Sequence, residues 1–353
     1  MSVILTLIIF CVIVIIHEGG HFAAARLSGV TVEEFAVGMG PLAVKTKKGG
    51  TVYSLRWLPI GGFCRMADNS DPENGIFGFL DAGVFKRIFI CAAGPFMNFV
   101  LALLVLGFIN FSWSYTTTEV RGVLEGYAAE EAGIEQGDVI TKINGKSVRI
   151  FSELSYELSK YAGKTFPVEV SRDGERLVFS VTLNADENGS YKLGVLTVTK
   201  AGFLSGADDS LPKTSLIEAV KCGYYDMFFL VKMTVTGLIS LFTAKVSMDE
   251  IAGPIGLTSV VGEVYGESVK AGISVLIINM LNITALLSAN LGVMNLLPIP
   301  ALDGGKIIVY IAEILRGRPI APEKEGFINL VGFVLIMGFG IVVAFHDVFK
   351  IFS

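Results

Sequence analysis

Residues 17–21 read His-Glu-Gly-Gly-His, and two of the chain's three histidines are spent there. Positions four apart share one face of a helix, so His17 and His21 can turn both imidazoles towards a single zinc ion. Glu18 beside them can take a proton from a water that such an ion activates, which is the chemistry of metal-dependent peptide hydrolysis. The motif follows an apolar run, residues 3–16. Ionisable groups at membrane depth are costly, and they are functional candidates by default.

A catalytic zinc ordinarily has three protein ligands and one open position, so a third ligand is required. His346 lies at the far end of the last apolar segment beside Asp347 and reads as an interfacial residue. Asp303 is the better candidate. It stands in Asn295-Leu-Leu-Pro-Ile-Pro-Ala-Leu-Asp-Gly-Gly305, after a long apolar stretch that two prolines break. Prolines and glycines free backbone polar groups, which at membrane depth must be satisfied by protein or by a water-filled cavity. Asn279, Asn282, Asn290 and Asn295 punctuate the same apolar stretch, the first two reading as helix–helix hydrogen bonders.

The elements that must position these groups are membrane spans. The 353 residues are 52% hydrophobic and 17% charged, where a soluble enzyme would carry roughly 25% charge. A net charge of −5 gives no reason to expect nucleic acid. Cys11, Cys64, Cys91 and Cys222 are scattered, without a CxxC pair, and read as small buried hydrophobes. No basic residue precedes the first apolar run, which therefore reads as a retained helix rather than a cleaved leader.

Four segments are long enough to span, about 3–27, 88–113, 273–297 and 327–345. Basic residues cluster between the first two (Arg26, Lys45, Lys47, Lys48, Arg56, Arg65, Lys86, Arg87) and before the fourth (Arg316, Arg318, Lys324). Both connections are expected to face the cytoplasm, with the N-terminus, residues 114–212 and the C-terminus outside. At ~1.5 Å per residue His17 falls roughly 21 Å along its helix, nearer the cytoplasmic side.

Between the first two spans, residues 32–66 are no ordinary loop. Residues 42–47 and 51–58 flank Lys48-Gly49-Gly50 and predict a β-hairpin, either dipping into the membrane interface or forming a soluble flap. Residues 114–200 turn polar and strand-rich. Asn144-Gly145 and Asp173-Gly174 are type I′ hairpin signals there, and 151–161 predicts an amphipathic helix. Residues 213–246 read as a helix lying on the outer surface rather than as a span. The expected organisation is 1–113 (two spans and the hairpin), 114–200, 201–272 (linker and surface helix) and 273–353 (two spans with the third ligand).

The motifs taken together resemble a known family. His17-Glu18-Gly-Gly-His21 in a first span, Ala93-Gly-Pro-Phe-Met-Asn98 in a second, and Asn295-x-x-Pro-x-Pro-x-Leu-Asp303-Gly-Gly305 in a third resemble the site-2 proteases, intramembrane zinc metalloproteases. Ala128 to Asp138, followed by the Ile-Asn-Gly strand, resembles a PDZ domain, and Gly253-Pro-Ile-Gly256 follows it. That layout is similar to the bacterial RseP-like group, with room for a single PDZ domain.

The resemblance implies a mainly α-helical membrane protein with about four transmembrane helices, a membrane-associated β-hairpin and one extracytoplasmic α+β PDZ-like domain. It implies that His17, His21 and Asp303 hold Zn2+ and that Glu18 is the general base. It further implies that Asn295 binds substrate backbone, that Gly61-Gly62 and the hairpin clamp an unwound substrate as an added strand, and that Asn98 serves packing. Substrates would be single-span proteins of the anti-sigma factor type, or remnant signal peptides, in the plasma membrane of a bacterium. A PDZ-bearing membrane scaffold with a structural metal site and a transporter are the rival readings. No internal repeat supports the transporter.

Overall fold

The computed structural model describes residues 2–185, 189, 191–204, 211–243 and 253–352, so parts of the expected linker, 205–210 and 244–252, lie outside the described residues. In chain order the elements begin with helix α1 (Ser2–Leu27), strands β1 (Val32–Lys48) and β2 (Thr51–Met66), and helix α2 (Val84–Ser112). Next come β3 (Ser114–Val123), α3 (Ala128–Ala132), β4 (Val139–Ile143), β5 (Lys146–Ser147) and α4 (Phe151–Leu158). β6 (Thr165–Arg172), β7 (Glu175–Thr182) and β8 (Val195–Ala201) follow. The chain then runs through α5 (Leu216–Phe242), α6 (Pro254–Ala271), α7 (Ile273–Asn295), α8 (Asp303–Arg316) and α9 (Pro322–Phe352). It divides into two compact units, residues 103–229 and the remainder.

Four helices among the described residues are long and apolar enough to cross a membrane: Val3–Leu27, Val84–Ser112, Ile273–Asn295 and Glu323–Phe349. Each contains an expected span or ends within two residues of it. Their outward faces carry Val3, Ile4 and Ile8 on α1 and Phe333, Leu335 and Phe339 on α9, all exposed. Such a surface is stable only in an apolar solvent. The polar contacts point inwards. Arg87 of α2 meets Glu313 of α8 at 2.6 Å, both buried, and Glu313 also accepts from the Ile320 N–H. Asp347 of α9 accepts from the N–H groups of Gly253 and Gly256, which opens α6 with a carboxylate at its N-terminus.

The hairpin differs from expectation in extent. Strands expected over 42–47 and 51–58 instead run over Val32–Lys48 and Thr51–Met66, 17 and 16 residues. Glycines inside the strands act as bends. Gly38, Gly40 and Gly61 take positive φ (82°, 82° and 76°), and the register shifts around them. Phe35 consequently stands opposite both Cys64 and Tyr53, and Ala36 opposite both Phe63 and Ser54. The hairpin thus curls into four strand segments, with residues 34–37 flanked by 52–55 and 62–65. Gly49 and Gly50, both at positive φ, make the expected turn.

The second unit is a mixed domain around a sheet ordered β7-β6-β4-β3-β8, with β5 paired to β4. Asn144-Gly145 and Asp173-Gly174 close its hairpins with the positive φ that type I′ turns require. Ile140 and Ile143 of β4, on either side of a register shift, form its core with Val168 and Val170 of β6, Val181 of β7 and Leu154 of α4. Burial pushes the Asp138 carboxyl up. The Arg172 fork, at 2.7 and 2.9 Å, and the Glu135 N–H outweigh that and hold it below the usual carboxylate range. Residues 216–242 form one continuous helix that is not among the four candidate spans.

Candidate metal centre

The site is built where α1, α2 and α8 meet. Glycine makes that meeting possible. A side chain at Gly20 would overlap the Ala93 carbonyl, so α2 crosses α1 there at backbone contact distance. Gly19 touches nothing of the kind, so only one of the motif's two glycines serves packing. On α2, Gly94 lies one turn after Ile90, on the same face. With no Cβ at 94 the His21 ring reaches past it, and its Nδ1–H donates to the Ile90 carbonyl at 2.8 Å. His17 is held differently, its Nδ1 lying 3.1 Å from the Asn98 side-chain amide. Both rings therefore present Nε2 to the same point.

Asp303 arrives from the other side. α7 ends at Asn295, and Pro298 and Pro300 prevent it from continuing. Ala301 takes φ 75°, a left-handed conformation that costs a non-glycine residue about 1–2 kcal/mol. Its N–H is anchored to Asn329 Oδ1 at 3.2 Å, and a residue larger than glycine at 332 would strike Pro300. Those contacts fix the loop so that Asp303 is the first residue of α8. Its carboxylate reaches His17 Nε2 at 3.2 Å and His21 Nε2 at 3.3 Å, while the two Nε2 atoms are 3.2 Å apart.

This triangle tests whether a metal fits. Zinc bonds of ~2.0–2.1 Å at tetrahedral angles put neighbouring ligand atoms roughly 3.3–3.4 Å apart. The three observed edges match that spacing, and the three donors are a borderline-hard nitrogen and oxygen set suited to zinc. Two imidazole lone pairs and a carboxylate oxygen repel one another at this range unless a proton or a metal cation lies among them. Among the described residues, these are the grouped His, Cys, Asp or Glu side chains able to hold such an ion.

Glu18, one residue on from His17, lines the same cavity of about 600 Å³, as does Cys64. Asn295, Gly61 and Gly62 line the cavity too, together with Phe63, Arg65 and Lys306. A Cβ at Gly62 would lie 2.8 Å from the Ala36 carbonyl and 3.8 Å from Glu18 Cγ, so the absent side chain keeps this wall open beside the acid. His346 is not part of this group. Gly94, Lys306 and the Ile90 carbonyl had no role in the sequence reading, and Asn98 was assigned to packing. For Asn98 and Gly94 the signal was their place in a polar, glycine-bearing stretch of an otherwise apolar helix.

Gly94 carries a testable consequence. A methyl group there would overlap His21 Nε2 and lie 2.9 Å from His17 Cε1, and hydrogen bonds hold both rings in place. Gly94→Ala is expected to weaken zinc binding about 10–100-fold, as displaced ligand supports generally do. Chelator competition on the purified variant measures this, and an unchanged affinity would contradict the packing described.

Three convergent donors with an acidic neighbour, two of them on a helix able to cross a bilayer, are the arrangement of a metal-dependent hydrolase of the membrane. Comparison with known proteins gives the family. Residues 5–339 match Peptidase family M50. The chain is 31% identical to zinc metalloprotease RasP of Shouchella clausii, over 98% of each chain. It is 30% identical to the regulator of sigma-W protease RasP of Bacillus subtilis, over 99% of each. A segment covering 23% of the chain is 32% identical to a PDZ domain of Listeria innocua, with a TM-score of 0.21. The chain belongs to Peptidase family M50 and is a multi-pass membrane zinc metalloprotease. The scaffold and transporter readings fall with that assignment.

Proposed function

We propose that this enzyme cuts a single-span membrane protein within its membrane segment, with His17, His21 and Asp303 holding zinc and Glu18 as general base. The observation that carries the reading is the donor triangle beside Glu18, in one cavity walled by candidate membrane helices and by the inner end of β2. A bound zinc supplies Lewis acidity towards the scissile carbonyl and towards the attacking water. Glu18 takes the proton of that water and returns it to the leaving amine.

A substrate helix cannot react as a helix, because its carbonyls are hydrogen-bonded and shielded. It must be drawn out, and its freed backbone groups then need partners. Residues 61–66 of β2 face the cavity as extended chain and offer such partners by strand addition. Gly61 and Gly62 leave room for the incoming backbone, and Asn295 stands across the cavity to bind it. The exposed apolar residues Val44, Leu55, Trp57 and Leu58 suit a hairpin that rests in the membrane interface. The basic loops favour a cytoplasmic-side active site and an extracytoplasmic PDZ-like domain. The name of the B. subtilis relative, a regulator of sigma-W, supports an anti-sigma factor as the substrate type, with remnant signal peptides as a second class.

The test uses the purified enzyme and a single-span protein in detergent micelles. Treatment with 1,10-phenanthroline should abolish cleavage and added zinc should restore it. Mass spectrometry of the products should place the cut inside the apolar segment. Cleavage confined to the soluble flanks would overturn the intramembrane reading.

A further inference from the structure

Asn98 is fully buried on α2, and its side-chain oxygen has no hydrogen-bond partner, although its amide lies 3.1 Å from His17 Nδ1. An imidazole that gives Nε2 to a metal must carry its proton on Nδ1, and that proton needs an acceptor. For His21 the acceptor is the Ile90 carbonyl, a backbone atom that no substitution removes. For His17 it must be a side chain. With the amide nitrogen facing Nδ1, the proton would be forced onto Nε2, where it would point into the ligand triangle. A half-turn of the amide, whose oxygen and nitrogen are nearly indistinguishable in shape, brings the oxygen to Nδ1–H and frees Nε2. Asn98 is itself held in place, because the Ser288 hydroxyl of α7 donates to its backbone carbonyl at 2.8 Å.

We propose that Asn98 is the positioning residue of His17, its amide oxygen accepting from Nδ1–H and so fixing the tautomer that binds zinc. This rests on the proposed reading of His17 as a ligand. It replaces the assignment of Asn98 to packing.

The experiment measures zinc affinity by chelator competition on the purified full chain in detergent, with thermal melts of the zinc-free forms as a folding check. Asn98→Leu keeps the volume without an acceptor and should bind zinc about 10–100-fold more weakly, while Asn98→Asp, which restores an acceptor, should stay within about threefold of wild type. A residue that only packs would not discriminate in that order. If Asn98→Leu does not fold, Asn98→Ala takes its place with the same expected loss. Wild-type affinity in the variants that lack an acceptor, or an Asp variant as weak as they are, overturns the proposal. His17→Ala separates the two levels: if it leaves affinity intact, the ligand reading itself has failed, whatever Asn98 does.

Discussion

Glu18→Gln should bind about one zinc per chain and fail to cut, with turnover down by at least the ~10²–10⁴-fold that a general base typically contributes. The substitution keeps the shape of the side chain and removes its ability to accept a proton. Glu18 is on α1 between the two histidines but is not part of the donor triangle, so metal binding should survive. Zinc analysis and turnover on the same preparation make the check. Near wild-type cleavage would remove Glu18 from the mechanism, whereas loss of zinc would mean the carboxylate supports the metal instead.

Asp303→Ala is the second large effect, and it acts on the other quantity. It takes away one of three donors and leaves two imidazole nitrogens 3.2 Å apart with no anion to balance the cation. Zinc affinity should fall by more than the ~100-fold that marks the upper end for residues that merely orient a ligand. Activity should vanish with it and return only partly in excess zinc. Fold is not at stake to the same degree, because the loop before Asp303 is held by Asn329 and by packing at Gly332. An Asp303→Ala protein with normal affinity would mean that the third ligand lies elsewhere.

What could be read from sequence was local. His17 and His21 share a helix face by spacing alone, and type I′ turns at Asn144-Gly145 and Asp173-Gly174 are written in two residues each. Asp303 was legible because prolines and an acid interrupt an apolar run, a pattern whose cost demands a reason. The spans followed from length and hydropathy. The contacts between elements were not legible. Nothing in Gly94 says that an imidazole from another helix passes over it to a carbonyl one turn away. The role of Asn98 depends on its amide facing His17 Nδ1, a contact that exists only once α1 and α2 are packed. The hairpin's true length was hidden for a related reason. Gly38, Gly40 and Gly61 end a strand in most settings, and only the curled pairing turns them into bends within longer strands.

The central claim is that one zinc sits among residues from α1 and α8, in the cavity that holds Glu18. Anomalous scattering at the zinc edge, from crystals of the zinc-loaded enzyme, tests it most directly. The account predicts one strong peak within bonding distance of His17 Nε2, His21 Nε2 and an Asp303 carboxylate oxygen. A peak at other residues, or a loaded enzyme without zinc at this triangle, would contradict it.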